Sequence, residues 1–344
     1  MQIKILGSAA GGGFPQWNCG CPNCHRLRQG TFRGKARSQT QVAISPDGRS
    51  WFLLGASPDL RAQIEAASEL HPRDGLRQSP IVGAVLANAD IDHVLGLLLL
   101  RELQPLRVYS TPSVCRILRE DNSMFGMLNR VANQIVWHDI EAGTQFEMRS
   151  AEGEDSGLRC RAWPLSEHFP AYVAANRRSQ LMPGEASLGL MISSGGAADA
   201  LVRPVGTEID PPRTGASGAP SSISSRGNPS DASTGKILAY FPAVPEITGE
   251  LLAEINACDL LLFDGTFWSD DELIRIQGSG QTAREMGHVP VETTLTMLAE
   301  VRRPRKIFLH INNTNPMLDE ASPQYRQVRG AGWEVAEDGW QFDL

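Results

Sequence analysis

Asn88-Ala89-Asp90-Ile91-Asp92-His93 is the stretch on which the reading of this chain turns. It stands between an apolar, β-branched run, Ile81 to Leu86, and a second apolar run, Val94 to Leu103. The first has the length of a buried strand and the second that of a helix, so the six residues form a strand-to-helix turn. Asn88, Asp90, Asp92 and His93 all carry side chains able to bind a metal. Taken alone, the turn has an equally good structural account: Asp90 or Asp92 can cap the helix that follows and interact with its dipole.

The same device recurs along the chain. His168 follows the strand candidate Leu158 to Pro164, Asp264 follows Leu260 to Phe263, and His310 follows Lys306 to Leu309. In α/β folds the carboxyl ends of strands border the crevice where ligands bind, which predicts that these residues converge. A single histidine after a strand is more often a surface residue; repeated occurrences favour one shared site. His288, in Gly287-His288-Val289-Pro290 before a helix at Val291, is expected beside the ligands or facing a substrate. His71 and His138 lack this setting and are expected at the surface.

Short apolar segments alternate with helical stretches, an α/β signature. Ile3 to Leu6, Leu188 to Ser193 and Lys236 to Phe241 are further strand candidates, and Gln41 to Ile44 with Trp51 to Leu54 read as a hairpin around Pro46-Asp47-Gly48. Ser57-Pro58 and Thr111-Pro112 each place a capping residue before a proline, which predicts a helix start at both. Between Gly195 and Gly235 the sequence becomes rich in Ser, Gly, Pro and Ala and poor in apolar residues. Such a segment buries too little apolar surface to offset its ordering entropy, so residues 1–344 are expected to form one domain with a disordered insertion at about 195–235.

The chain has 344 residues, 41% of them hydrophobic, and a net charge of −7. No basic stripe interrupts it, which argues against nucleic acid or an anionic membrane as partner. No apolar run is long enough to span a bilayer, and no secretory pattern opens the sequence, so a cytoplasmic protein is expected. Three of the six cysteines crowd into Cys19-Gly20-Cys21-Pro22-Asn23-Cys24, while Cys115, Cys160 and Cys258 lie singly among apolar neighbours. In a reducing compartment the singles read as core and the cluster as ligands of one structural Zn(II). Zinc takes four ligands, and His25, His310 and Asn313 are candidates for the fourth, with Asn313 assigned to the site.

Beyond these motifs, Gly7-Ser8-Ala9-Ala10-Gly11-Gly12-Gly13-Phe14-Pro15-Gln16-Trp17-Asn18-Cys19, the run NADIDHVLGLLLLREL from Asn88, and His310-Ile311-Asn312-Asn313-Thr314-Asn315-Pro316 carry a family resemblance. Together they resemble the PqqB family of pyrroloquinoline quinone (PQQ) biosynthesis, within the metallo-β-lactamase-like superfamily, across the chain apart from the insertion. The resemblance implies an α/β fold of the metallo-β-lactamase-like αββα sandwich type. The superfamily motif at the turn is HxHxDH, so Asn88 and Asp90 stand where two zinc-binding histidines usually stand, while Asp92 and His93 keep the family identities. His168, Asp264 and His310 match the remaining ligand motifs by their order along the chain.

Exchanging two imidazoles for an amide and a carboxylate weakens the first zinc site of a dinuclear hydrolase. Two histidines and a carboxylate with open positions suit non-haem Fe(II), and the resemblance implies the same direction: hydroxylation of the tyrosine-derived ring of a Glu-Tyr intermediate. On this expectation Asp92, His93 and His310 hold Fe(II) in the crevice, Asp90 or Asp264 completes the set, and His168 and His288 are ligands or proton carriers near the ring. The loop Gly11 to Trp17 lines the crevice, Trp17 stacks on the substrate and Asn88 touches it. The partners implied are a small-molecule or peptide-derived Glu-Tyr substrate and other PQQ biosynthesis proteins. Two alternatives are a non-catalytic carrier moving PQQ or its precursor to the periplasm, and a zinc-dependent hydrolase.

Overall fold

Along the first strand Ile3 and Ile5 fall on one face and Leu6 on the other, and all three are buried, so this strand is covered on both sides. Repeated over the chain, that demand produces layers. The computed structural model describes residues 1–195 and 235–344, and the insertion expected at about 195–235 lies, apart from its two end residues, outside the described residues. One seven-stranded sheet contains β1 (Gln2–Gly7), β2 (Gln41–Ser45), β3 (Trp51–Leu54), β4 (Ile81–Val85), β5 (Leu106–Ser110) and β6 (Ile135–Asp139) in sequence order. The other contains β7 (Gln145–Arg149), β8 (Asp155–Ser166), β9 (Ser187–Ser194), β10 (Ile237–Phe241), β11 (Leu260–Asp264), β12 (Arg305–Leu309) and β13 (Trp333–Val335). The closing strand β14 (Gln341–Asp343) returns to the first sheet and pairs antiparallel with β1.

Each sheet is antiparallel at one end and parallel at the other. β3 to β6 run parallel, as do β10 to β13, and each parallel half is joined by connections that carry helices. Three apolar layers result. Ile5, Ile44, Leu54, Leu190, Leu262 and Ile307 meet between the sheets. Leu60, Leu97, Val114 and Ile117 cover the outer face of the first sheet, and Leu251, Ile255, Val291 and Val328 that of the second. This is the αββα sandwich.

Two local expectations need correction. The helix expected over Val94 to Leu103 is α-helical only at Ile91–Val94 and continues as 3₁₀ turns over Leu95–Leu100. The reason is Gly96: its N–H bonds to the Ala56 carbonyl at 2.9 Å, outside any helix, and a Cβ there would lie 2.2 Å from the Ser57 carbonyl oxygen. Ser57-Pro58 does not open its helix directly either. Ser57 accepts from the Asp59 N–H (3.1 Å) in a turn that precedes the helix Leu60–Glu65. Thr111 caps as expected, accepting from Val114 N–H ahead of Pro112. Cys115, Cys160 and Cys258 are buried, as expected of core residues.

Candidate metal centre

The turn Asn88 to His93 leaves the end of β4 and is clamped onto the segment that follows β3. Gly55 N–H donates to the Val85 carbonyl, Ala56 N–H to that of His93 (2.6 Å), and Gly96 N–H to that of Ala56. Asp90 occupies the N-cap position, and its carbonyl accepts from His93 N–H, yet its carboxylate caps nothing. Asn88 Oδ1 accepts from Asp90 N–H at 3.1 Å, which is a turn-closing contact. The turn therefore closes without spending the Asp90 or Asp92 carboxylate on the helix.

Asp92 points into the crevice instead. Its Oδ2 lies 3.2 Å from His310 Nε2 and 3.7 Å from His93 Nε2, and the two histidines approach to 3.4 Å through the same nitrogens. One donor atom from each of these three residues falls within 4.8 Å of the others, and so do donors of Asp264, His288 and His310. The imidazoles of His93, His310 and His288 form a row, with ring centroids 5.3 and 5.5 Å apart and planes 20° from parallel. Gly11 comes close from the N-terminal loop: a Cβ there would sit 3.3 Å from Asp92 Oδ2.

His310 is held in the left-handed region, at φ 56°, by backbone contacts on both sides. Ile311 N–H donates to the Ser8 carbonyl, and the His310 carbonyl oxygen lies 2.9 Å from the Thr266 hydroxyl oxygen. For a residue with a Cβ that conformation costs about 1–2 kcal/mol, and such strain is characteristic of ligand sites.

Asp264 is fully buried and all of its acceptor capacity is used. Oδ1 accepts from Thr266 N–H and the Thr266 hydroxyl, and Oδ2 from Val244 N–H and His288 Nδ1 at 2.8 Å. The geometry casts Asp264 as the group that orients His288, the carboxylate–histidine arrangement common behind metal ligands. Charges are divided unevenly across the crevice. Burial opposes ionisation of Asp92, but the His93 and His310 imidazoles outweigh it and hold its carboxyl well below the usual carboxylate range. Burial, and then the negative charge of Asp92, push the Asp90 carboxyl up. Burial depresses His93, leaving it neutral with a lone pair to offer. For His288 burial acts in the same direction, but the Asp264 carboxylate outweighs it and raises its pKa.

Asp92, His93, Asp264, His288 and His310 are thus brought together, and Asp90 lies on the same turn. His168 is not gathered: β8 ends at Ser166, the histidine is exposed, and among the described residues its backbone and ring hydrogen-bond to Ser166. Trp17 is 84% exposed, and the part of its loop that borders the metal-type donors is Gly11. Asn88 is buried beneath the turn and occupied with Asp90. His71 and His138 are half-buried and bonded elsewhere, to Ile64 and Glu65 carbonyls and to Arg107. Three residues escape a reading of the sequence. Thr266 lies two residues after Asp264 and touches Asp264, His288 and His310; Tyr172 donates to the Ala89 carbonyl (2.5 Å); and the Tyr240 ring is buried on the inner face of β10. A polar residue two positions beyond the Asp264 strand end was the one available signal, for Thr266.

The cysteine cluster lies at the other end of the His310–Asn315 segment. Cys19, Cys21 and Cys24 bring their sulfurs within 4.8 Å of one another, and the Asn313 carboxamide covers them, with Nδ2 at 3.1, 3.5 and 3.3 Å respectively. His25 is exposed, and His310 belongs to the crevice. Burial, and then competition with the neighbouring thiols, push the Cys21 thiol up to about 12, whereas hydrogen bonds from Cys21 N–H, the other thiols and Asn313 outweigh burial and lower Cys19. Three sulfurs gathered beneath an amide are a donor set that zinc fits, with proton release on binding.

This fold, with its strand-end donors, defines the class, and comparison with known proteins agrees. A beta-lactamase superfamily domain matches residues 50–198 and 231–311. The chain is 38% identical over 347 residues to coenzyme PQQ synthesis protein B of Methylorubrum populi and 37% identical over 349 residues to that of an Azoarcus species, in each case over 100% of both chains. It belongs to the coenzyme PQQ synthesis protein B family, and its pathway is the biosynthesis of that coenzyme. The crystal structure of Zn(2+)-bound PqqB from Methylobacterium extorquens shares 37% identity and a TM-score of 0.81, with 100% of both chains covered. A diphosphatase of the PhnP family, at 16% identity and TM-score 0.59 over 100% of this chain and 97% of that one, shares the fold alone. Among the described residues no helix is long and apolar enough to cross a membrane.

Proposed function

We propose that this chain is a non-haem Fe(II)-dependent hydroxylase acting on the tyrosine-derived ring of a Glu-Tyr intermediate of PQQ biosynthesis. One observation carries the reading: Asp92, His93 and His310 converge as one carboxylate and two imidazoles, at a turn where Asn88 and Asp90 replace the histidines of a zinc hydrolase. Bound there, Fe(II) supplies activation of dioxygen at its open positions. The side chains do the rest. Asp92 remains ionised and His93 neutral, so both are ready as ligands. His288 and Asp264 share a proton at Nδ1 beside them and serve as the proton carrier. Ile91 and Tyr172, 56% and 42% exposed next to the turn, offer an apolar and aromatic rim against which a phenolic ring can rest. The net change is a ring C–H converted to C–OH, with one oxygen atom of O2 entering the ring. The other leaves as water, with two electrons and two protons from an added reductant.

The Zn(2+) of the Methylobacterium relative supports zinc as a metal of this family, and we assign it in this chain to Cys19, Cys21, Cys24 and Asn313. The test is reconstitution with Fe(II) under dioxygen and ascorbate, with a cross-linked Glu-Tyr substrate. The expected product is heavier by one oxygen and absorbs as a catechol, while protein with zinc in the crevice forms none. His93→Ala should abolish the reaction. Ester hydrolysis by the zinc form without oxygen uptake overturns the reading in favour of a hydrolase, and substrate binding with neither reaction overturns it in favour of a carrier.

A further inference from the structure

The Thr266 hydroxyl is the busiest polar atom of the crevice. It is almost fully buried and lies 2.7 Å from Asp264 Oδ1, 2.9 Å from the His310 carbonyl oxygen, 2.9 Å from His310 Nδ1 and 3.1 Å from His288 Nδ1. A hydroxyl has one hydrogen to give and two lone pairs to receive with. The Asp264 carboxylate is the shortest and only anionic acceptor, so the hydrogen goes there. Giving it to the His310 carbonyl would leave the same consequence: both lone pairs face imidazole nitrogens. His288 Nδ1 has a better partner in Asp264 Oδ2, at 2.8 Å. The lone pair therefore receives from His310 Nδ1, and a neutral ring with hydrogen on Nδ1 carries its own lone pair on Nε2. Nε2 is the atom facing Asp92 and His93.

We propose that Thr266 is a positioning residue that holds His310 in its Nδ1-protonated tautomer and thereby presents Nε2 to a metal in the crevice. The inference rests on the reading of the crevice as a metal centre. Val keeps the shape of Thr and removes the hydroxyl; Ser keeps the hydroxyl.

Two measurements on the full chain test it. Long-range nitrogen–proton NMR of histidine-labelled apo protein reads the tautomer directly: the parent and Thr266→Ser should show His310 protonated at Nδ1, and Thr266→Val a mixture. Titration with Co(II), followed by its absorption after the cysteine cluster has been loaded with zinc, should show crevice affinity reduced about 10- to 100-fold in Thr266→Val and restored in Thr266→Ser. An Nε2-protonated His310 in the parent overturns the proposal even if the valine variant fails to fold. So does unchanged Co(II) affinity in a folded Thr266→Val. A parent that takes up no crevice metal would instead sink the metal-centre reading, while the tautomer would still decide the part played by Thr266.

Discussion

The cysteine cluster and the crevice sit at the two ends of one short segment, His310 to Asn315, and are built in opposite ways. Three donors of the cluster come from six consecutive residues, and the fourth group, Asn313, arrives from the far end of the chain to close it. The crevice instead draws its donors from separate strand ends, with Asp92 and His310 218 positions apart. Its parts also conflict: two carboxylates of opposite pKa shift lie near stacked imidazoles, beside a histidine in a left-handed conformation. A donor set that is local, mutually hydrogen-bonded and tied across the fold stabilises the native state. One drawn from distant, strained and like-charged parts draws on stability for the sake of chemistry. Substitutions should therefore cost stability at the cluster and little at the crevice.

The largest effect belongs to Cys21→Ser. Removing one of three thiolates should release the zinc and uncouple the N-terminal loop from Asn313. The expected loss of stability is several kcal/mol, a fraction of the roughly 10–16 kcal/mol that binding of a structural zinc can release. A chromogenic chelator assay and thermal unfolding read both quantities. Full zinc occupancy in the variant, or an unchanged unfolding midpoint, would break the contrast at its stronger side.

The contrast also governs what the sequence disclosed. Cys19-Gly20-Cys21-Pro22-Asn23-Cys24 is legible because its donors are neighbours, and their spacing alone brings the sulfurs together. In the crevice, Asp92, His93, Asp264 and His310 were legible because each lies at or just beyond the end of a strongly apolar strand, and parallel strands align their ends. His168 shares that position in sequence, but β8 runs on to Ser166 in an antiparallel pairing and delivers the histidine to solvent. Thr266 and Tyr240 became visible only when tertiary packing set them beside charges. Of the fold, Ile135–Asp139, Gln145–Arg149 and Gln341–Asp343 were missed as edge strands with exposed and polar residues, and Leu106–Ser110 and Trp333–Val335 were missed although mostly buried, being short and carrying polar residues of their own. Pattern reading follows burial, so strands that are half in water leave the weakest trace.

A mid-sized effect can be sought at Glu272, which lies beside the cluster, next to a cavity of about 400 Å³ that Cys21 also lines. Its two oxygens accept from the Thr314 hydroxyl and Trp268 N–H. Burial nonetheless pushes its carboxyl from 4.5 up to about 7. Between those values the folded protein keeps a proton that the unfolded chain has released, so stability present at low pH is lost as pH rises through 7. At about 1.36 kcal/mol per unit, the loss is about 3 kcal/mol. Urea unfolding at fixed metal content should show the parent losing that much more than Glu272→Gln between pH 5 and 8. Parallel curves for the two proteins would remove this cost from the cluster side.

The smallest effect sharpens the contrast from the crevice side. Tyr240 is fully buried, with its side chain on the inner face of β10, level with Leu262 and so one inward-facing position below Asp264 on β11. Its hydroxyl has no hydrogen-bond partner among the described residues. Burial, and then the negative charge of Asp92, raise its pKa, so the hydroxyl stays protonated beneath the crevice. An unpartnered buried hydroxyl costs about 1–3 kcal/mol of desolvation, and the apolar layer around it would accept phenylalanine without change of shape. Tyr240→Phe in the metal-free protein should thus leave the unfolding free energy unchanged or raise it by about 1 kcal/mol, as measured by urea titration. A loss of more than 1 kcal/mol would mean that the hydroxyl is partnered in solution and that the crevice floor supports the fold as the cysteine cluster does. A neutral or stabilising result places the cost of a polar floor with the chemistry above it.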